Sequence, residues 1–176
     1  MLTRHQTIQN AYYVNDIDAA IDRWHRAWGL GPFFVRRHLV LPTVSYRGSP
    51  TTLDISAAYV QAGPIQIELV TQHDDTPSAF RAMFSRGQEG FHLVAMVPDD
   101  YAATLRHYQE LNFPVITELK TAAGRGAAYV DTRAMLGHMV EVYLPSTSLT
   151  QLYEQVADAA KTWDGQNLRI EVGAAQ

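Results

Sequence analysis

Hydrophobic and polar residues follow one pattern that occurs twice along the chain. Residues 8–14 and 91–97 are rich in β-branched and aromatic residues and predict strands. After each strand, apolar residues recur at helical spacing over 17–28 and 101–108, which predicts an amphipathic helix. An aspartate stands before each helix as a candidate N-cap.

Three further strands are predicted after each helix. They cover residues 33–40, 53–61 and 65–71 in the first half and 114–119, 126–131 and 139–144 in the second. A turn-rich excursion over 41–50 makes the first half about ten residues longer than the second. The order βαβββ–βαβββ predicts an α+β fold, with two modules forming a curved, half-barrel mixed sheet.

The two halves also share a spacing. Gln9 precedes Asp16 by seven residues, as His92 precedes Asp99, and the Ala19–Ala20 pair recurs with the same offset of 83 residues. We therefore predict one domain over 1–145, with module one at 7–72, a linker at 73–89 and module two at 90–145. The remainder, 146–176, is predicted as a C-terminal extension with a helix to about residue 163 and a short strand near 168–172, covering a sheet edge or a partner subunit.

Composition narrows the classes of protein. The 176 residues carry a net charge of −4 and scattered basic residues, so a nucleic-acid partner is not expected. Cysteine is absent, which excludes disulfides, thiolate ligands and a cysteine nucleophile. No run approaches the roughly 18 apolar residues of a membrane span, so a cytoplasmic protein without a membrane partner is expected.

Each module ends in a strand that carries a carboxylate among apolar residues. Successive side chains of a strand point to opposite faces of the sheet. Glu68 is therefore expected on the face opposite to Ile67 and Leu69, and Glu141 on the face opposite to Val140 and Val142. A carboxylate buried alone costs several kcal/mol, so it needs a cation, a metal or a proton. A glutamate on a solvated sheet face is the alternative for either residue.

Gln9, Glu68, His92 and Glu141 occupy matching places in the two copies. Brought together, they offer one imidazole nitrogen and three oxygens, a set that suits Zn, Ni, Co, Mn or Mg. The sequence therefore predicts a metal cleft between the modules. A histidine satisfied within the core is the alternative for His92.

These motifs resemble a known family. Gly-Leu-Gly-Pro-Phe follows the first helix, Gly-Phe-His opens module two and Gly-His-Met-Val-Glu-Val-Tyr closes it. Over roughly residues 7–145 the chain resembles the vicinal oxygen chelate superfamily, and within it the glyoxalase I and methylmalonyl-CoA epimerase group.

The resemblance implies a metal-dependent isomerase, epimerase or lyase. In that group a metal-bound enolate forms when a proton is removed next to a carbonyl of a thioester or hemithioacetal. The four metal ligands would be Gln9, Glu68, His92 and Glu141, with Zn, Ni, Co or Mn as the ion. Glu141 first, and Glu68 second, would shuttle the proton. A homodimer is expected by the same resemblance.

Departures from the family's patterns keep other functions open. Asp54 stands in the region where the epimerases carry a second catalytic glutamate, and Tyr13 stands where glyoxalase I has an arginine. Gln9 departs from the ligand set of the ring-cleaving iron dioxygenases. A protein that sequesters a drug or antibiotic is the main alternative, and a dioxygenase relative is another.

Basic residues offer weaker candidates. Arg36, Arg37 and His38 stand together, as do Lys120 and Arg125, and each group is able to hold an anion or to line a solvated strand edge. His73 precedes two aspartates and is expected to be a loop residue.

Overall fold

The computed structural model describes residues 5–122 and 124–173, with side chains from residue 7 onwards. Residues 1–4 of the predicted domain and residues 174–176 of the predicted C-terminal extension lie outside the described residues. The first half contains β1 (His5–Tyr13), α1 (Ile17–Trp28), β2 (Phe33–Arg36), β3 (Thr43–Tyr46), β4 (Ser49–Thr51), β5 (Ile55–Ala62), β6 (Ile65–Gln72) and α2 (Ala79–Met83). The second half contains β7 (Gly90–Pro98), α3 (Tyr101–Glu110), β8 (Val115–Lys120), β9 (Gly126–Val130), α4 (Arg133–Leu136), β10 (Met139–Tyr143), α5 (Thr147–Thr162) and β11 (Arg169–Glu171).

The two long helices begin at the aspartates that the sequence offers. Asp16 caps α1 by accepting a hydrogen bond from the Ala19 backbone N–H at 3.0 Å. Asp100, rather than Asp99, caps α3 and accepts from Ala103 at 2.8 Å. The caps therefore lie 84 residues apart, one more than the offset of the sequence repeat.

One curved sheet contains all eleven described strands, in the order β11-β2-β5-β6-β1-β7-β10-β9-β8-β3-β4. The strands β2-β5-β6-β1 come from the first module and β7-β10-β9-β8 from the second. The two groups meet where β1 and β7 pair antiparallel. The predicted α+β fold with two modules in a curved, unclosed sheet is confirmed.

The excursion at 41–50 contains two strands that the sequence pattern did not predict. Arg47 and Gly48 both have positive φ, 49° and 80°, as a tight two-residue hairpin turn requires. The resulting β3–β4 hairpin pairs with β8 of the other module. An insertion in module one thus extends the edge of module two.

The C-terminal extension covers the opposite edge. β11 pairs parallel with β2. Arg37 contacts Asp18 and Glu171, and Arg169 contacts Asp18 and Asp22, through ion pairs of 2.7–3.0 Å. Because these groups are partly exposed, each pair adds little stability. Hydrogen bonding of the strand and packing of α5 therefore hold the tail.

Each face of the sheet packs against helices. Ile67 and Leu69 of β6 pack with α1 residues, and Val140 and Val142 of β10 pack with α3 residues. The alternate residues face the concave side, where α2 and α5 lie. Among the described residues, no helix is both long and apolar enough to cross a membrane.

Candidate active site

Two buried glutamates occupy equivalent places on the concave face. Glu68 pairs with Ala11 of β1, and Glu141 pairs with Ala95 of β7. Their exposed fractions are 8 % and 2 %. The alternation within each strand is as predicted, because Ile67, Leu69, Val140 and Val142 pack against the helices, whereas both glutamates line one cavity.

Each glutamate stands opposite a tyrosine on the neighbouring strand. Tyr59 of β5 is the register partner of Glu68, and Tyr129 of β9 is the register partner of Glu141. Both tyrosines, together with Tyr143, line a cavity of about 50 Å³ with the two carboxyl groups. The two modules thus contribute the same carboxyl–phenol pair.

Gln9 is fully buried and joins this polar group. Its Nε2 donates to Gln66 Oε1 at 2.9 Å, and the Tyr143 hydroxyl donates to Gln9 Oε1 at 3.2 Å. Two nearby atoms, Gln66 Nε2 and Glu141 Oε2, are buried and have no hydrogen-bond partner. Such atoms carry a desolvation cost, which a ligand at the site is able to offset.

Burial changes the acidity of both carboxyl groups. Burial raises the pKa of Glu68 to about 7, against the opposing effect of a hydrogen bond from Tyr59. Burial, followed by the negative charge of Glu68, raises the pKa of Glu141 well above its ordinary value, while Tyr129 and Tyr143 act in the opposite direction. In the absence of a cation, the pair therefore retains at least one proton near neutral pH.

His92 lies at an irregularity of β7. Leu93 pairs with Ala11 and Phe91 with Tyr12, so His92 is the extra residue of a β-bulge. Since Glu68 pairs with Ala11 and Glu141 with Ala95, Ala95 is the structural equivalent of Ala11. By the same offset of 84 residues, Leu93 is the structural equivalent of Gln9. The structural equivalence is thus displaced by one residue from the sequence repeat that paired His92 with Gln9.

The His92 ring is fully buried among aromatic residues. Ring centroids of Phe80, Phe84 and Tyr129 lie 4.8, 6.0 and 6.2 Å away. Its Nε2 lies 3.3 Å from the Ala79 carbonyl oxygen, an acceptor, so the proton is on Nε2, and Nδ1 has no partner. Burial lowers the pKa of His92 to about 4, which leaves the imidazole neutral.

The four predicted ligands suit a divalent ion in chemical type. Neutral His92 has an unused nitrogen, Glu141 has an unused oxygen, and Gln9 and Glu68 add two oxygens. The ligand atoms of Glu68, His92 and Glu141 are not all within 4.8 Å of one another. Over residues 5–122 and 124–173, one set of three His, Asp or Glu residues meets that distance: His38, Asp54 and His73.

Aliphatic side chains close the cavity. Leu39 and Leu41 come from the 37–42 loop between β2 and β3, and Leu149 and Leu152 come from α5. A cavity of about 50 Å³ has room for a few water molecules but not for a drug-sized ligand. A larger ligand therefore requires movement of the loop or the helix.

Two arginines lie beside the cavity. Arg125 lines it and donates to the Ser148 carbonyl oxygen at 3.4 Å. Arg36 follows Phe34 on the concave face, and its buried Nε has no hydrogen-bond partner. Burial, and next the charge of Arg125, lowers the pKa of Arg36. The two guanidinium groups are close enough to repel each other, which favours an anion between them.

Sequence patterns missed part of this site. The sequence patterns assign no role to Tyr129 or Tyr143. The antiparallel pairing of the last two strands in each module points to Tyr129, because it places a tyrosine opposite each glutamate. Tyr59 lines the cavity, whereas Phe33 packs with α1 and Met96 packs with α3. Asp54 contacts His38 at the surface.

A family model matches residues 8–129, most of the chain: the Glyoxalase/Bleomycin resistance protein/Dioxygenase superfamily. The chain belongs to this superfamily. The resemblance inferred from the repeated motifs is thereby confirmed. A search of curated protein sequences gives no significant match.

Solved structures share the superfamily's fold with this chain at low sequence identity. Methylmalonyl-CoA epimerase from Mycobacterium tuberculosis is 17% identical, with a TM-score of 0.54, over 82% of this chain and 91% of that one. A methylmalonyl-CoA epimerase in complex with methylmalonyl-CoA and NH4+ is 13% identical, with a TM-score of 0.55, over 84% and 97%. Hypothetical protein BH1468 from Bacillus halodurans C-125 is 16% identical, with a TM-score of 0.56, over 81% and 95%. At these identities the likeness is one of fold.

Proposed function

We propose that this chain is an isomerase, epimerase or lyase that removes a proton next to a carbonyl group. One observation carries the proposal: two buried carboxyl groups, each opposite a tyrosine, line one cavity at equivalent places of the two modules. Reversible proton transfer needs an acid and a base held together away from water. Superfamily membership, with epimerases among the structural neighbours, supports the same class of reaction.

The surroundings of the two carboxyl groups support different roles for them. A base is most effective when its pKa lies near the working pH, which favours Glu68 as the group that takes the proton. Glu141, whose pKa burial and the charge of Glu68 raise well above its ordinary value, is suited to donate a proton to the product. This order reverses the one that the family resemblance implies, where Glu141 comes first.

A divalent ion is part of the proposal. Gln9, Glu68, His92 and Glu141 would hold Zn, Ni, Co or Mn, and the buried unpartnered atoms of His92 and Glu141 support this. When bound, the ion supplies Lewis-acid stabilisation of the negative charge left by proton removal. Glu68 and Glu141 still move the proton, and apolar lining residues such as Leu39 and Leu152 limit the contact of the site with water.

The proposed substrate is a small carbonyl compound with an anionic group, such as a thioester or a hemithioacetal. Arg36 and Arg125 support the anionic part, because neither guanidinium takes part in an ion pair within the described residues. Drug-sized ligands occupy pockets of about 300–1,000 Å³, so binding must displace the 37–42 loop or α5.

The test is exchange of the acidic α-proton with deuterated water. Acyl-CoA thioesters and hemithioacetals of α-keto aldehydes are incubated with metal-loaded protein, and deuterium uptake is followed by mass spectrometry. We expect Glu68→Gln and Glu141→Gln each to lose about 10²–10⁴-fold in exchange rate. Glu118→Gln is the matched control, because Glu118 lies on the same sheet and is exposed.

Metal content separates the contributions. Glu141→Gln should retain part of the metal bound between the two glutamates, since an amide oxygen still coordinates, whereas His92→Ala should lose that active-site metal and the exchange together. Exchange that survives both glutamate substitutions would show that the base lies elsewhere. Iron in the purified protein would favour an oxygenase instead.

Sequestration of an apolar drug or antibiotic is the second candidate function. The aliphatic closure by Leu39, Leu41, Leu149 and Leu152 supports it, because such a lining binds apolar ligands without chemistry. Tight binding of an aromatic or antibiotic ligand, with no exchange of any substrate in the panel, would replace the enzyme proposal.

A homodimer completes the proposal. Trp28, Met135 and Leu136 are large apolar residues with exposed fractions of 64, 68 and 50 %, which supports burial against a second copy. Light scattering at tens of micromolar should give twice the mass of the chain. A monomer mass would refute this part.

A further inference from the structure

Two histidines and an aspartate meet at one edge of the sheet, outside the cavity. His38 follows β2, Asp54 precedes β5 and His73 follows β6. Because these three strands are neighbours in the sheet, their ends bring the side chains together. One ligand atom from each residue lies within 4.8 Å of the other two.

The three side chains are already in contact. His38 Nδ1 lies 2.8 Å from Asp54 Oδ1, and the two imidazole rings stack with centroids 4.3 Å apart. The Nε2 atom of His73 also has a partner, because it lies 2.7 Å from Ser56 Oγ. If Nε2 donates to Ser56, the lone pair of His73 is on Nδ1, the arrangement in which metal-binding histidines are commonly held.

The backbone holds these residues in place. The His38 N–H donates to Ser56 Oγ at 3.0 Å, and the His73 N–H donates to the Asp54 carbonyl oxygen at 2.9 Å. His38 has a φ of 47°, in the left-handed region that side chains other than glycine seldom adopt. A residue held there by its surroundings is a recurrent feature of functional sites.

The charge of the group suits a cation. Partial burial, opposed by Asp54 and assisted by His38, lowers the pKa of His73, so its imidazole is neutral near pH 7. A neutral imidazole and an ionised carboxylate are the ligand forms that bind zinc.

We propose that His38, Asp54 and His73 form a binding site for a divalent transition-metal ion, with Zn²⁺ as the probe, distinct from the cavity of Glu68 and Glu141. Two nitrogens and one carboxylate oxygen bind the ion, and water completes the coordination. The ion also fixes the 37–42 loop, because Leu39, which closes the cavity, directly follows His38 and donates its N–H to the Ile55 carbonyl oxygen at 2.8 Å.

Calorimetric titration of the EDTA-treated full chain with Zn²⁺ tests the site. Wild type should take up one Zn²⁺ equivalent that His38→Ala and His73→Ala lack or bind at least about 100-fold more weakly. His107→Ala, a substitution on α3, should keep it. His92→Ala should keep it as well, which separates this site from the metal of the proposed active site.

Hydrogen exchange tests the effect on the loop. Zn²⁺ should slow exchange of the Leu39 amide in wild type and in His92→Ala, and leave it unchanged in His73→Ala. Circular dichroism melting confirms folding of each variant, which the exposure of His38 and His73 favours. Equal Zn²⁺ uptake by wild type, His38→Ala and His73→Ala would overturn the site, and unchanged Leu39 exchange would overturn the loop effect.

Discussion

Replacing Glu68 by glutamine should alter how the stability of the folded chain depends on pH. Burial raises the pKa of Glu68 from its ordinary value of 4.5 to about 7 in the folded protein. The folded state therefore binds a proton more tightly than the unfolded chain does. Stability from this group is fully present below about pH 4.5 and is lost as the pH rises through about 7.

The magnitude follows from the two pKa values. A difference of about 2.5 pH units, at about 1.4 kcal/mol each, corresponds to about 3–4 kcal/mol of unfolding free energy, of which about 3 kcal/mol is lost between pH 4.5 and pH 8. Glu141 acts in the same direction, because burial and the charge of Glu68 raise its pKa as well. In Glu68→Gln the loss of stability with rising pH should be smaller by about 3 kcal/mol than in wild type.

Urea denaturation of EDTA-treated protein at intervals from pH 4.5 to pH 8 measures this loss. Glu118→Gln, on the exposed side of β8, is the control and should follow wild type. A wild-type stability that does not decline over this range, or a Glu68→Gln curve parallel to that of wild type, would refute the buried protonated carboxyl. Saturating Zn²⁺ in a His73→Ala background should also remove the decline, if Glu68 binds the ion in its ionised form.

Other substitutions test the packing around the site. Tyr143→Phe removes the hydroxyl that donates to Gln9 and should lower the free energy of unfolding by about 1–3 kcal/mol, measured by urea denaturation. Tyr153→Phe removes a buried hydroxyl that has no hydrogen-bond partner and should leave the free energy of unfolding close to that of wild type. Leu152→Ala should destabilise by about 2–5 kcal/mol and enlarge the cavity, measured by denaturation and by binding of an apolar dye; an unchanged dye signal would contradict the closure by α5. Gly31→Ala should cost about 1–3 kcal/mol, because a Cβ there overlaps the Trp163 indole, and an unchanged melting temperature would count against this contact.

Local sequence patterns predicted most of the regular structure and the faces of its strands. Alternation separates Glu68 from Ile67 and Leu69 because successive side chains of a strand point to opposite faces. An aspartate before an apolar stripe starts α1, because its side chain satisfies a free backbone N–H. These rules depend on neighbours in sequence, so the chain alone determines them.

Some local predictions were wrong because tertiary contacts changed the backbone. The strand predicted over 33–40 ends at Arg36, where His38 turns into the left-handed region and bonds to Ser56. Helix α4 was not predicted, since four residues carry too little periodicity.

The sequence by itself determined the duplicated βαβββ order, the superfamily and the pair of glutamates on one face, since each depends on local periodicity or on a repeated motif. Tertiary structure decided the register. One extra residue at the β-bulge moves His92 out of equivalence with Gln9, and only strand pairing places Tyr129 opposite Glu141. Pairing between distant segments likewise brought α5 over the cavity and His38 beside His73, because such contacts depend on how the whole sheet curves and closes.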